Sequence, residues 1–189
     1  DDDFAITITK QIIEFCSQPH FNYSFDTYIS NTILLLFEKY FDSTWEYFGQ
    51  GIIGDYMTFF HLENLIGTRN GNSYSAGAGI LFKNPEYYPT ILAWCRKNPL
   101  IAPERIAHMM PLSVNENDEI KWHPFSKAII DEFGDNENLI SQLSSNMGTF
   151  GTVGSSVPYY LAQKKLLEEL KSHPIQRVRE WAIKMLEYT

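Results

Sequence analysis

The sequence predicts an all-α fold built from paired amphipathic helices. Three observations support this prediction. Apolar residues recur at helical spacing along almost the whole chain of 189 residues. Prolines and N-capping side chains mark most boundaries between these segments. Breaks between helices then recur at a regular interval in the second half of the chain. Val153 and the isoleucine-rich N-terminus are the only weak strand candidates, so no sheet is expected.

The first 66 residues are predicted to form an N-terminal helical cluster. The expected N-caps are Ser24, Asp42 or Ser43, and Asp55, because short polar side chains accept hydrogen bonds from the first free amides of a helix. Pro19 is expected to end the first helix. The predicted helices cover residues 4–18, 25–40, 44–49 and 55–66.

The glycine-rich segment 67–79 is predicted to be a loop, and residues 80–189 are predicted to form a regular helical array. A polar loop is expected over residues 113–121, and a second glycine-rich loop over 148–156. Asn136 is expected to cap one of the helices. The predicted helices of this half cover residues 85–98, 103–110, 124–133, 137–146, 158–172 and 174–188.

The helices of the second half are predicted to form repeating pairs. The break inside each pair falls at Pro99, Asn136 and Pro174, which gives a period of about 37 to 38 residues. Pro19 lies about two periods before Pro99, and no comparable break falls midway between them. The repeat is therefore predicted from residue 80 onward, with a less regular cluster before it.

The last pair carries a more specific pattern. Pro174 stands at the turn, and Val178, Ala182 and Leu186 follow at i, i+4 and i+8, where they face a partner helix. The small Ala182 lets the two backbones approach closely. This pattern resembles the second helix of a HEAT repeat, and the resemblance implies that Arg179 reaches acidic or carbonyl groups at the adjacent turn. The resemblance is strongest over residues 157–188 and weakens toward the N-terminus.

The wider order of motifs is similar to the C-terminal helical tails of large bacterial multidomain proteins, which are often ATP-binding and linked to defence. The residues that carry this similarity are Trp94, Pro99, Trp122, Pro124, Phe133-Gly134-Asp135, Gly154-Ser155 and the segment from His173-Pro174 to Ala182. The similarity implies a scaffold or sensing arm attached to a catalytic part. The chain, which begins on an acidic tripeptide, is expected to be a fragment of a longer protein.

The overall charge disfavours two classes of partner. With a formal net charge of −8 and a pI near 5.1, the chain lacks the general basic character that binding to nucleic acids or anionic membranes needs. Cys16 and Cys95 lie on apolar stripes and are expected to be buried free thiols, which fits a reducing compartment. With no signal peptide or membrane-spanning run evident, a cytoplasmic location is expected.

The motifs for chemistry are weak, so no catalytic, cofactor-binding or metal-binding residue is assigned and no cofactor is expected. The loop at 148–156 matches neither glycine-rich phosphate-binding pattern. Glu104 and His108 share a helix face but lack a third ligand. Asp131 and Glu132 are adjacent, so their side chains diverge on a helix. A nucleophilic cysteine–histidine pair stays an open alternative, because such residues meet in space rather than in sequence.

The predicted function is a non-catalytic protein-interaction or scaffold and sensing module, bound to a protein partner or to other domains of the parent chain. One alternative is a hydrolase or nucleotide-binding enzyme that uses the two glycine-rich loops. The other is a nucleic-acid sensing arm that uses the basic C-terminal helices. Tyr88 and Tyr160 are predicted to be core residues. The candidate interaction surface comprises Tyr87, Tyr159, Arg177, Arg179, Trp181 and Lys184.

Overall fold

The structure is a computed structural model that describes residues 1–19, 23–67, 79–117, 119–148 and 157–188. These residues are mostly helical, as predicted, and they also include one small two-stranded sheet. The two glycine-rich loops fall almost entirely outside the described residues. The helices are α1 (Asp2–Cys16), α2 (Asp26–Ile53), α3 (Tyr56–Ile66), α4 (Ile80–Lys83), α5 (Tyr88–Lys97), α6 (Ala102–Met109), α7 (Pro124–Phe133), α8 (Glu137–Gly148), α9 (Val157–Leu170) and α10 (Gln176–Leu186), with 3-10 turns at Tyr23–Phe25 and Pro85–Tyr87.

Helix α2 consists of two helical segments joined by a kink at Tyr40, where φ is −141° and ψ is 28°. The kink lies where the first of the two predicted helices was expected to end, but the expected cap at Asp42 or Ser43 is wrong, because helical geometry resumes directly after Tyr40. The Thr44 hydroxyl donates to the Tyr40 carbonyl at 2.8 Å, which satisfies a backbone acceptor at the irregular turn. Phe41 and Trp45, just beyond the kink, are buried in the core.

The described residues of the second half contain the helices α5 to α10, which we group by their order along the chain as the pairs α5–α6, α7–α8 and α9–α10. Helix α5 packs on α6 and α9 packs on α10, whereas α7 makes little direct contact with α8. The second helices of these pairs pack side by side, since α6 contacts α8 and α8 contacts α10. Helix α3 continues this layer by packing on α6. At that contact the Arg105 guanidinium lies over the Phe59 ring, 4.3 Å from its centroid. The expected break at Pro99 is matched by the turn between α5 and α6.

The segment predicted to be a polar loop is instead a β-hairpin, and the expectation of no strand is wrong here. Strand β1 (Ser113–Glu116) pairs antiparallel with β2 (Glu119–Trp122), and Val114 lies opposite Lys121. Asn117 adopts φ 54° at the turn, a conformation that asparagine tolerates better than most residues. The Trp122 indole N–H donates to the Leu166 carbonyl of α9 at 3.1 Å, which attaches the hairpin to the last helix pair.

One continuous core joins the N-terminal cluster to the helix pairs. Trp45 of α2 meets Trp94 of α5 edge to face, with ring centroids 5.5 Å apart. Phe41 stacks on Tyr87 at 4.0 Å. Such aromatic contacts contribute beyond their buried area. The aromatic richness of the sequence therefore serves, at this point, to connect the two parts of the fold.

Two histidines that precede prolines cap the start of a helix or turn. The Nδ1 atom of His123 accepts the Phe125 amide at 3.3 Å, and the Nδ1 atom of His173 accepts the Ile175 amide at 3.2 Å. Both imidazoles therefore replace the short polar side chains that usually cap a helix. The third histidine beside a proline, His20, lies outside the described residues.

In the described part of the chain, no helix is both long and apolar enough to cross a lipid bilayer.

The Gly49→Ala variant tests the contact between the two parts of the fold. A Cβ atom at residue 49 would lie 2.5 Å from Nε1 of Trp94, so the two helices must separate or the indole must shift. We expect a net loss of about 1–3 kcal/mol of unfolding free energy, although alanine has the higher helix propensity. Urea denaturation measures this loss. Lys39→Ala on the same helix is the control, because Lys39 is exposed and its replacement leaves the core contact unchanged. A variant as stable as the wild type would contradict the contact.

The His123→Asn variant tests the pH dependence of the fold. Burial lowers the pKa of His123 below its ordinary value of 6.5, so the unfolded chain binds more protons than the folded chain as pH falls. The stability contributed by neutral His123 is complete above the unfolded pKa and is lost as pH falls from 6.5 toward the folded pKa. Asparagine keeps a capping acceptor but does not titrate. Wild-type unfolding free energy should therefore decrease more than that of the variant between about pH 7 and pH 5. Equal decreases would contradict this account.

Candidate functional site

The turn between α7 and α8 is fastened to the turn of the preceding helix pair. The Asn136 side chain accepts the Leu139 amide at 3.0 Å, which caps α8 as predicted. Its Nδ2 atom also donates to the Pro99 carbonyl at 2.8 Å. Asn146 makes a second link at the other end of the helix layer, where its amide donates to the Ala107 carbonyl at 2.8 Å. The first two pairs are thus bonded at both ends of their second helices.

The third pair stacks on the second through an unusually close contact. A Cβ atom on Gly134 would lie 2.3 Å from Cγ2 of Val178 and 3.4 Å from Cδ1 of Ile175. Only glycine leaves room for Val178 at this position. Arg177 supports the same turn from the surface, with its Nε atom 3.6 Å from Asp135 and its Nη1 atom 3.8 Å from Glu137.

The turn between α9 and α10 is stabilised by two side chains. Because Nδ1 of His173 accepts an amide, its Nε2 atom carries the proton and faces Asp131 of α7 at 2.9 Å. The Arg179 guanidinium donates to the carbonyls of His173 and Pro174 at 2.7 and 2.9 Å. Arg179 therefore fixes its own turn and is not available as a freely exposed contact residue.

An open groove of about 520 Å³ lies between α8 and α10. Its apolar surface comes mainly from the partly buried Ile140 and Met185, because Trp181, which also lines it, is only 5% exposed. The stacking at Gly134 sets the separation of the two helices, so the groove is a direct consequence of how the pairs stack. The residues that line it are Glu137, Ile140, Ser141, Ser144, Arg177, Glu180, Trp181, Lys184 and Met185.

The charges along the groove are mixed. Glu137 and Arg177, at the starts of the two helices, face each other, so the positive charge of Arg177 is balanced locally. Glu180 accepts a hydrogen bond from Gln176 at 2.7 Å. Lys184 lies two helical turns beyond Arg177 and is exposed. The groove thus offers an apolar centre with acidic and basic groups along its edges, an arrangement typical of surfaces that bind polypeptides.

Of the six residues predicted to form an interaction surface, Arg177, Trp181 and Lys184 line the groove. Trp181 is only 5% exposed and belongs to the core, so its prediction as a surface contact is wrong. The prediction that Tyr87 lies on the interaction surface is wrong, because Tyr87 is only 8% exposed and stacks in the core. Its neighbour Tyr88 is half-buried, with its hydroxyl donating to the Phe82 carbonyl at 2.9 Å.

The second tyrosine pair lies on α9. The side chain of Tyr159 lies outside the described residues. The prediction that Tyr160 is a core residue is wrong, because its side chain is exposed. The buried stripe of α9 begins one turn later, at Gln163, and continues through Leu166 and Leu170.

The α8 side of the groove was missed by sequence reasoning. Ile140 was assigned to the inward stripe of this helix with Leu139 and Leu143, whereas it is only half-buried and lines the groove. Ser141 and Ser144 were not singled out, and an apolar residue at the edge of the inward stripe was the available signal for a second contact face.

The other candidates for chemistry do not form a reactive site in the described residues. Burial raises the pKa values of Cys16 and Cys95 to about 12, so their thiols stay protonated at neutral pH. His61 contacts the backbone carbonyl of Cys16 at 2.7 Å rather than its sulfur. Glu104 and His108 lie 3.9 Å apart, and the described part of the chain brings no group of three metal-ligating side chains together.

Comparison of the chain with protein-family models, with curated proteins and with solved structures found no match.

Substitutions at Asn136 distinguish the stability contributed by its N-cap of α8 from that contributed by its hydrogen bond to Pro99. Asn136→Asp keeps the acceptor for the Leu139 amide but removes the donor to Pro99, and should cost about 0.5–1.5 kcal/mol of unfolding free energy. Asn136→Ala removes both and should cost roughly a further 1 kcal/mol. Chemical denaturation measures both losses. If the aspartate variant is as stable as the wild type, the bond to Pro99 does not contribute to stacking.

Proposed function

We propose that the chain is a protein-interaction or scaffold module, and that the groove between α8 and α10 is where a polypeptide partner binds. The observation that carries the proposal is the open groove itself. It combines two half-buried aliphatic side chains, Ile140 and Met185, with charged groups at its edges. A partly apolar centre with a polar rim is the usual anatomy of a protein interface.

We propose further that the helix pairs form a HEAT-like array. Three features support this assignment. The second helices α6, α8 and α10 pack in sequence order. The turns of successive pairs are bonded through Asn136 and Pro99. Arg179 reaches carbonyl groups of the turn before its helix, as the resemblance implies. In helical arrays of this kind, the layer of second helices offers an extended binding surface.

The partner is proposed to be a segment of protein, either from another domain of the parent chain or from a separate molecule. Apolar side chains of the partner would lie against Ile140 and Met185. Its charged groups would face Glu180 and Lys184 at the edges. Nucleic acid suits the groove less well, because Arg177 is already opposed by Asp135 and Glu137. We also propose that the module is an arm of a larger bacterial protein.

Peptide selection tests this function and does not require the partner to be identified. A library of random peptides is selected against the folded chain, and enriched peptides are measured by fluorescence polarisation. We expect peptides with an apolar anchor to be enriched. Ser141→Arg places a bulky side chain on the groove wall, and should weaken their binding by about tenfold or more.

Ser145→Arg is the matched control, since Ser145 lies on the same helix, is exposed and does not line the groove. Its effect on binding should stay within about twofold. Two results would contradict the proposal: no enriched peptide at all, or equal weakening by both arginine variants. Circular dichroism of both variants establishes that they remain folded.

A further inference from the structure

Helix α6 presents a small polar surface within the layer of packed helices. Glu104, Arg105 and His108 are half-buried, whereas every other residue of the helix is buried. The helix lies between α3 and α8, because both of them pack against it. A molecule that binds over α6 therefore meets a guanidinium, a carboxylate and an imidazole rather than apolar side chains.

The Arg105 side chain has no polar partner among the residues that the structure describes. None of them accepts a hydrogen bond from it or forms an ion pair with it. Of its three guanidinium nitrogens, only Nε is both buried and unpaired, so the terminal nitrogens are the atoms that a ligand can reach. Removing a charged donor from water without giving it an acceptor costs free energy. An acceptor at the terminal nitrogens would offset part of this cost.

The position of the guanidinium is fixed by Phe59 of α3. The guanidinium of Arg105 lies 4.3 Å from the centroid of this ring, which is itself buried. His108 packs edge to face on the same ring, with centroids 5.5 Å apart. The cation–π contact covers one face of the guanidinium, but its N–H donors lie in the plane and stay available. Holding the donors in place before binding lowers the entropic cost of binding.

The charges around Arg105 favour a carboxylate over a phosphate as the acceptor. Burial, and then the charge of Arg105, lower the pKa of His108, so this imidazole adds no positive charge at neutral pH. Glu104 lies 3.9 Å from His108 and adds a negative charge nearby. A phosphate group carries more than one negative charge, which is too many for a single guanidinium beside a carboxylate. One carboxylate matches the arginine fork in both charge and geometry.

The described residues do not supply this carboxylate. Glu104 follows directly before Arg105, but neighbouring side chains on a helix diverge, and its carboxylate is near His108 instead. The segments outside the described residues contain a single acidic residue, Asp118. An acid from another polypeptide is therefore the acceptor that fits the Arg105 guanidinium.

We infer that Arg105 binds an acidic side chain of a polypeptide that packs over α6. The carboxylate accepts hydrogen bonds from the terminal nitrogens of the guanidinium, while the Phe59 ring stays packed against its face. This contact lies outside the groove between α8 and α10, because Arg105 does not line that groove. It rests on the proposed function only in that the ligand belongs to a polypeptide.

Nuclear magnetic resonance of the full chain tests whether the guanidinium binds a carboxylate. Sodium acetate is titrated at neutral pH and constant ionic strength, and the Nε–H signal of Arg105 is followed. We expect a saturable shift of this signal. Arg96 is the control in the same sample, because its guanidinium already pairs with Glu132 through two hydrogen bonds. No saturable shift at Arg105, an equal shift at Arg96, or tighter binding of inorganic phosphate than of acetate would each overturn the inference.

Peptides distinguish a polypeptide ligand from a small carboxylate. A library of peptides with blocked ends and a central glutamate is selected against the full chain, and the enriched peptides are remade with glutamine. The glutamate peptides should bind at least about tenfold more tightly than acetate and than their glutamine versions. Glutamate peptides that bind no more tightly than acetate, or glutamine versions that bind equally well, would overturn the inference.

Variants of the chain locate the binding of these peptides. Arg105→Gln should weaken it by at least about tenfold, and Arg105→Lys, which keeps the charge but loses the fork, by a smaller factor. Lys97→Gln is the matched control, since it removes an exposed base at the end of α5 and should have less than about twofold effect. Circular dichroism establishes that the variants remain folded.

The Ser141→Arg variant separates this inference from the proposed groove. If Ser141→Arg weakens peptide binding and both Arg105 variants leave it unchanged, the peptides occupy the groove, and the inference fails while the proposed function stands. If the Arg105 variants weaken binding and Ser141→Arg does not, the inference stands and the groove is not the binding site.

Discussion

The architecture depends on the close stacking of the α7–α8 and α9–α10 pairs at Gly134. Val178 occupies the space that any side chain at residue 134 would fill. This approach brings α10 beside α8, and it places Arg177 within reach of Asp135 and Glu137. The groove lies beside this contact, between α8 and α10.

Polar links strengthen the stacking without replacing it. Asn136 joins two turns, Asn146 joins two helix ends, and His173 joins α7 to the last turn. The Arg96 guanidinium also pairs with Glu132 through two hydrogen bonds, which connects α5 to α7. Most of these links join residues that are far apart in sequence, so their value lies in fixing the register between neighbouring pairs.

Much of the fold could be predicted from the sequence because helical periodicity is a local property. The boundaries of α7 were predicted to the residue, since Pro124 begins it and Gly134 follows its end. The Asn136 cap was likewise predicted from local chemistry. The end of the first segment of α2 at Tyr40 was also predicted, whereas the cap at Asp42 or Ser43 was wrong. The chain returns to helical geometry at Phe41, whose burial with Trp45 depends on distant elements.

The hairpin and the groove were harder to predict, for different reasons. The hairpin is short and polar, and among its described side chains only Trp122 is buried, held by a contact to α9. The groove needs the relative rotation of two helices that are about 40 residues apart. Tyr87 illustrates the same limit, because its stacking on Phe41 joins separate parts of the chain. Sequence spacing placed Arg177, Trp181 and Lys184 on one helix but did not identify what they face.

The most direct test of this account is a nuclear Overhauser measurement between the Gly134 α-protons and the Val178 methyl groups in a methyl-labelled sample. The stacking described here predicts strong cross-peaks between them, because a Cβ atom on Gly134 would lie 2.3 Å from a Val178 methyl carbon. The absence of those cross-peaks, with both residues assigned and the protein folded, would contradict the stacking and the groove that depends on it.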